Sequence, residues 1–269
     1  MIPIALRLVA AFLLAAPASA FAQAPPTVLL EELTSPELTA FVRAGRTTVI
    51  VPIGGTEQNG PHMTLGKHNV RVKALSEQVA RALGNAIVAP VVAYVPEGGV
   101  SPPTGHMRHA GTITVPADVY RKLLESAARS FRLHGFRDVV LLSDSGGHQA
   151  EDAAVAAKLN REWAGTPTRV HAIAEYYRVP TVGFPRALKA RGYTDAEVGS
   201  HAGLADTSLM LAVDPRVVRA DRLQPAPGQS TLPGVAGDPR RATAELGSVA
   251  VAAIVDETVA AIRAATAGH

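Results

Sequence analysis

Four apolar runs, residues 47–52, 86–95, 138–142 and 169–174, alternate along the chain with stretches of helical period. Such alternation predicts an α/β fold, a mainly parallel sheet covered by helices on both faces, because parallel neighbours need crossovers long enough to hold a helix. The helical stretches carry their own punctuation. Residues 34–44 offer Ser35 as N-cap with Pro36 at the first helical position. Residues 69–83 place Val70, Ala74, Leu75, Val79 and Leu83 on one face and stop at Gly84. Residues 116–134 close on Gly135, a further helix runs to Trp163, and residues 202–212 and 242–265 complete the helical set. Pro90 marks a break or an edge in the second run, and residues 112–115 read as a short extra strand.

Residues 1–24 stand apart from this pattern. One cation, Arg7, precedes an apolar stretch at 8–16 and small residues around Ala18-Ser19-Ala20 and Ala22-Gln23-Ala24. That is the order of a secretory signal peptide, and the apolar stretch falls short of the roughly 20 residues that a bilayer span needs. The expectation is export to the periplasm or secretion, with Pro25-Pro26 as a linker and residues 25–269 as a single domain. No later segment is apolar and long enough to span a membrane, so no membrane association is expected after cleavage. The chain has no cysteine, which excludes disulfides, thiolate metal ligands and a cysteine nucleophile. A net charge of +3 without basic runs, and 4% aromatic residues, do not make a nucleic-acid surface.

Three loops carry polar groups that packing does not require. The first runs from Ile53 to Asn69 and holds Glu57, Asn59, His62 and His68 just past a strand end, where open α/β sheets gather their ligands. The second, Ser143-Asp144-Ser145-Gly146-Gly147-His148, has a Gly-Gly pair that lets backbone approach a ligand at a helix start. The third, Ser200 to Ser208, contains His201 and Asp206 ahead of an apolar helix. Glu, His and Asp drawn from separate strand ends suit zinc or manganese in a hydrolase. Plainer roles stand beside these: Glu57 as a helix cap, His62 as a loop donor, His68 as a surface imidazole, His148 as a surface group. Ser145 lacks the Gly-x-Ser-x-Gly setting of a serine-hydrolase elbow. The Gly/Pro-rich loop 96–111 contains His106 and His109, and a second Pro/Gly-rich loop spans 225–239.

Taken together, the loops resemble those of the creatininase family, metal-dependent amidohydrolases. Ile53-Gly54-Gly55-Thr56-Glu57-Gln58-Asn59-Gly60-Pro61-His62 is similar to the family's Gly-Ser-x-Glu-Gln-His-Gly-Pro-His, and Leu65-Gly66-Lys67-His68 stands where the family has Leu-x-Thr-Asp. Gly111-Thr112-Ile113 resembles its Gly-Thr-Ile/Leu segment, and Ser143 to His148 takes the place of Asn-Gly-His-Gly-Gly-Asn. His201-Ala202-Gly203-Leu204-Ala205-Asp206-Thr207-Ser208 resembles His-Ala-Gly-x-x-Glu-Thr-Ser, and Gly234-Val235-Ala236-Gly237-Asp238-Pro239 resembles Gly-Val-x-Gly-Asp-Pro. The resemblance implies a three-layer sandwich, a small-molecule substrate and a homo-oligomer.

Family members hold two metal ions with Glu, His, a bridging Asp, a second His and a further carboxylate. In this chain Glu57 is kept, Asn59 stands at the first His, His68 at the bridging Asp, Ser145 at the second His, and Asp206 replaces a Glu. An imidazole cannot bridge two cations as a carboxylate does. The resemblance therefore implies one divalent ion, zinc or manganese, on Glu57, His68, Asp206 and His148, or none. It implies His201 and Asp206 in catalysis and Asn59, His62, Ser145, Gly146 and Gly147 against the substrate. The expected activity is hydrolysis of a C–N bond, in a cyclic amide or formamide, of a small exported molecule. Two rivals stand beside it: a non-catalytic periplasmic binding or scaffold protein on a decayed fold, and an esterase or lactonase using Ser145 with His148.

Overall fold

The computed structural model describes residues 27–225 and 230–268. The expected signal peptide at 1–24, the linker at 25–26, residues 226–229 of the late Pro/Gly loop and His269 lie outside the described residues.

Four parallel strands, β1 (Thr48–Ile53), β2 (Ala86–Val88), β3 (Asp138–Ser143) and β4 (Arg169–Ala172), form one sheet in the order β2-β1-β3-β4. Helix α1 (Ser35–Arg43) precedes β1, α2 (Lys67–Leu83) connects β1 to β2, α3 (Ala117–Leu133) connects β2 to β3, and α4 (Gln149–Glu162) connects β3 to β4. After β4 the main elements among the described residues are helical: α5 (Glu175–Arg178), a π turn at Val179–Gly183, α6 (Phe184–Ala190), α7 (Asp195–Val198), α8 (Leu204–Val213) and α9 (Ala244–Thr266).

Strand side chains alternate between two cores. Ile50, Val88, Val140 and Leu142 face Val72, Leu75 and Val79 of α2, Leu204 and Leu209 of α8, and Ala250, Ile254 and Ile262 of α9. Val49, Val51, Ile87, Val139, Leu141 and Val170 face Tyr120 and Leu124 of α3 and Val155, Leu159 and Trp163 around α4. Every residue of β1 is buried, as a central strand covered on both sides requires. The expected parallel sheet with helices on both faces is what forms.

Local differences have local causes. Thr34, not Ser35, caps α1, in a capping box with Glu37. The second apolar run pairs only over 86–88, because Pro90 has no N–H to donate; beyond it only Val92 bridges back to Ile53. Residues 112–115 form no strand: Ile113 N–H bonds Thr56 O and Val115 N–H bonds Val95 O. Helix α2 begins two residues earlier than its apolar period suggests, which brings Lys67 and His68 into its first turn. Among the described residues no helix is long and apolar enough to cross a membrane.

This topology positions the site. From β1 the chain goes first to β2 on one side, then to β3 on the other, so the crevice between the carboxyl ends of β1 and β3 is a topological switch point. Asp144 N–H bonds the carbonyl of Ile53 at 2.9 Å, which sets the two strand-end loops side by side.

Candidate metal centre and active-site cavity

The loop after β1 is pinned where it leaves the strand. Asn69 Oδ1 accepts from Gly55 N–H at 2.9 Å, and a Cβ at Gly54 would lie 2.1 Å from that same oxygen, so the Gly-Gly pair lets α2 close against the loop. Glu57, four residues beyond β1, is thereby buried, only 2% exposed, and faces the start of α2.

Three cations, Lys67, His68 and Arg71, crowd the first turns of α2. A helix N-terminus disfavours positive charge, and three carboxylates offset it. Lys67 Nζ lies 2.7 Å from Asp206 Oδ2, and Arg71 Nη1 reaches Asp206 Oδ1 at 2.9 Å. Arg71 Nε contacts both oxygens of Asp144 at 2.9 and 2.8 Å, and Tyr176 donates its hydroxyl to Asp144 at 2.8 Å. His68 lies between two acids, with Nε2 2.8 Å from Glu57 Oε1 and Nδ1 2.7 Å from Asp144 Oδ2. Ionised carboxylates only accept, so both ring nitrogens carry protons and His68 is an imidazolium. Burial and the charge of Lys67 work against that state; the hydrogen bonds and charge of Asp144 and Glu57 prevail and raise its pKa. Burial also pulls Asp206 upward, but Lys67 and Arg71 hold it well below the usual carboxylate range.

Glu57 has further neighbours. His106 Nε2 lies 3.1 Å from Glu57 Oε2, and His201 Nδ1 lies 3.8 Å from Glu57 Oε1. The two rings pack with centroids 4.8 Å apart. Although burial favours its neutral form, the hydrogen bond and charge of His68, with Lys67 and His106, hold the Glu57 carboxyl at about 2. Burial, then the charge of Lys67, lower His201 to about 4, so its imidazole is neutral at neutral pH. His201 Nε2 lies 3.0 Å from the carbonyl of Gln58; donating its N–H there leaves the Nδ1 lone pair turned to Glu57. Ala202, the next residue, sits at φ +53, and its N–H donates to Asp206 Oδ2 at 2.9 Å, so Asp206 holds the turn that aims His201.

One carboxylate oxygen and two imidazole nitrogens, from Glu57, His106 and His201, lie within 4.8 Å of one another. In a tetrahedral zinc site with bonds near 2.0–2.1 Å, neighbouring ligand atoms stand about 3.3 Å apart. His106 Nε2 stands 3.1 Å from Oε2 of Glu57 and His201 Nδ1 3.8 Å from Oε1, so the two nitrogens approach different oxygens of one carboxylate, at separations on either side of that value. An anionic carboxylate and two nitrogen donors are also the right chemistry, so this donor set fits a divalent ion.

The trio borders a cavity of about 550 Å³, a size suited to a small molecule. Lys67, Arg71, Ser145, Gly146, Gly147 and Asp206 line its polar side, and Pro180, Phe184, Pro185, Val198 and Leu209 its apolar side.

The expected site residues therefore divide. Glu57, His68, Asp206, His201, Ser145, Gly146 and Gly147 border the cavity. His68 and Asp206 do so as members of ion pairs, with no lone pair or oxygen left turned to a metal beside Glu57. His148 is fully buried with Nδ1 3.2 Å from Ser143 Oγ, burial lowers it to about 4, and it stands outside the converging trio. That contact, to Ser143 and not Ser145, also removes the base an esterase would need. Asn59 donates to the carbonyls of Glu57 and Thr64 and braces the loop. His62 Nε2 lies 3.0 Å from Thr207 Oγ1 in the interior. Neither borders the cavity. His201, with Nε2 on Gln58 and Nδ1 in the ligand position, has no nitrogen free to carry protons to a leaving group.

His106, Lys67, Arg71 and Asp144 were not singled out from the sequence. Lys67 and Arg71, four apart on a helix, share a face, which is a readable signal. His106 reaches Glu57 only through the long loop 96–111, which no periodicity describes.

Comparison with known proteins places this geometry in context. A family model described as "Creatininase: Creatinine amidohydrolase" matches residues 31–262. The chain is 28% identical over 245 residues to a mycofactocin precursor peptide peptidase of Mycobacterium ulcerans (strain Agy99), covering 82% of this chain and 86% of the relative. It is 26% identical over 257 residues to a creatinine amidohydrolase of Pseudomonas putida, covering 88% of this chain and 96% of the relative. A solved structure described as "Creatininase Mn" superposes with a TM-score of 0.71 at 26% identity, over 89% of this chain and 99% of that one.

Proposed function

The chain belongs to the creatininase family of hydrolases, and from that premise we propose that it cleaves a C–N bond of a small amide with one divalent ion, zinc or manganese, held by Glu57, His106 and His201. The observation that carries this reading is the convergence of those three donors at a small-molecule cavity. When bound, such an ion lowers the pKa of a water and polarises a carbonyl.

The chain's own residues do the rest. The His68 imidazolium fixes the Glu57 carboxylate through Oε1, and its second N–H is anchored on Asp144. The Gln58 carbonyl sets the tautomer of His201. Glu97, 7% exposed, is raised to about 8 by burial and by the charge of Glu57, so it keeps its proton beside the ionised Glu57 at neutral pH. Pro180, Phe184 and Pro185 give the substrate an apolar wall, and the backbone at Gly146 and Gly147 lets it approach closely.

A second metal has no place in this reading, because Lys67, Arg71 and His68 already neutralise Asp206 and Asp144. The composition of residues 1–24 supports export of the mature chain. Family membership supports a homo-oligomer, which sedimentation of the mature protein checks.

Elemental analysis of the purified protein, paired with hydrolysis of a panel of lactams, formamides and short peptides with and without chelator, tests the proposal. One ion per chain and chelator-sensitive turnover are expected. Two tightly held ions would reject the single-metal site; an ion-free chain without turnover would favour the non-catalytic binding reading.

A further inference from the structure

Among the cavity-lining cations, Lys67 is the one whose side chain is held by a single hydrogen bond among the described residues. Arg71 is held at three points, Nε on the Asp144 carboxylate, Nη1 on Asp206 and Nη2 on the Asp144 carbonyl. His68 spends both nitrogens on carboxylates. Lys67, 1% exposed, has a single hydrogen bond, to Asp206 Oδ2. An ammonium has three N–H groups, so two remain in a place where bulk water is largely excluded. Leaving charged donors unmet in such a place is costly.

Lys67 is not needed to satisfy Asp206. Arg71 Nη1 meets Oδ1 at 2.9 Å, and the Ala202 N–H meets Oδ2 at the same distance. Asp206 is thus a post fixed from elsewhere, and Lys67 is tethered to it by one donor with the others beside the cavity. Nothing about packing calls for lysine there.

We propose that Lys67 is a catalytic residue of this site, whose ammonium receives the negative oxygen that forms on the attacked carbonyl and persists on the product carboxylate. The inference rests on the hydrolase reading above. In the step, water oxygen bonds to the carbonyl carbon and the π pair moves onto the carbonyl oxygen. Lys67 donates hydrogen bonds to that oxygen and keeps its proton. The pair then returns, the C–N bond breaks, and the leaving nitrogen takes both protons of the water in turn, departing as an ammonium. The carboxylate that remains still faces Lys67. One donor of this kind is worth about 10²–10³ in kcat.

The probe is acetate, the smallest product-like carboxylate, titrated by calorimetry into the mature protein, metal-free and zinc-loaded; zinc is titrated separately. Wild type is expected to bind acetate in both states. Lys67→Met, which keeps length and leaves Asp206 to Arg71 and Ala202, is expected to bind it at least tenfold more weakly in both states, with zinc affinity within threefold. Lys67→Arg keeps the charge and should retain part of the acetate affinity; it carries the test if the methionine variant does not fold. Acetate binding unchanged in either state by Lys67→Met, or absent from wild type, overturns the proposal. Failure of zinc to bind wild type removes the metal reading instead, and the metal-free acetate series still decides for or against Lys67.

Discussion

Nδ1 of His68 lies 2.7 Å from Oδ2 of Asp144, and through that contact the end of β3 controls the loop that follows β1. Asp144 is 1% exposed, holds Arg71 through both oxygens and accepts from Tyr176. Removing it takes one of two carboxylate partners from each of two buried cations, Arg71 and His68. Asp144→Ala should therefore destabilise the fold by about 3–5 kcal/mol, the range for breaking one side of a buried pair. Urea denaturation measures this directly, and a loss below about 1 kcal/mol would mean the network is not a structural keystone.

Two ligand sets make opposite predictions about zinc. If Glu57, His106 and His201 hold the ion, His106→Ala lowers zinc affinity at least about 100-fold, beyond what loss of an outer-shell partner costs. Asp206→Asn, whose carboxylate serves Lys67 and Arg71, changes it by less than about tenfold. Competition titration against a chromogenic chelator separates the two. Equal losses in both variants would restore Asp206 as a ligand.

The fold was legible because burial on both sheet faces writes itself as apolar runs, and β1 and β3 fall within one residue of where those runs lie. Residues 175–198 show no clear period in the sequence, because α5 and α7 are four residues each, α6 is seven, and a π turn with Pro180 separates α5 from α6. At the site, Glu57 and His201 stood out as polar residues at loop positions that packing does not explain. The partnerships did not. Whether His68 faces a metal or two carboxylates depends on Asp144, seventy-six residues away, and no local pattern carries that information. His106 was visible as a histidine but not as a neighbour of Glu57.

Gly247 lies where α9 crosses α8. A Cβ there would sit 1.9 Å from the carbonyl oxygen of Ser208, a backbone atom that cannot swing away. Gly247→Ala should cost roughly 2–3 kcal/mol, the upper range for overpacking, although alanine is the better helix former. Exposed Ser248→Ala, one residue on, is the control and should stay within about 0.5 kcal/mol. Thermal denaturation of both variants gives the comparison, and equal melting would show that the helices can separate freely.

Asp152 supplies a pH dependence distant in origin from the metal trio. It is 2% exposed and accepts from Tyr120 at 2.5 Å and from Ser143. Burial raises it to about 6, against the pull of the hydrogen bonds from Ser143 and Tyr120. The folded chain then binds a proton that the unfolded chain, with an ordinary value of 3.8, has released. Unfolding free energy therefore falls as pH rises between about 4 and 6, and the contribution is fully present only below the unfolded value. A shift of that size corresponds to roughly 3 kcal/mol. Asp152→Asn cannot titrate, so its stability should fall less than wild type over the same interval. Parallel stability curves for the two proteins between pH 4 and 6 would show that Asp152 titrates normally in the folded state.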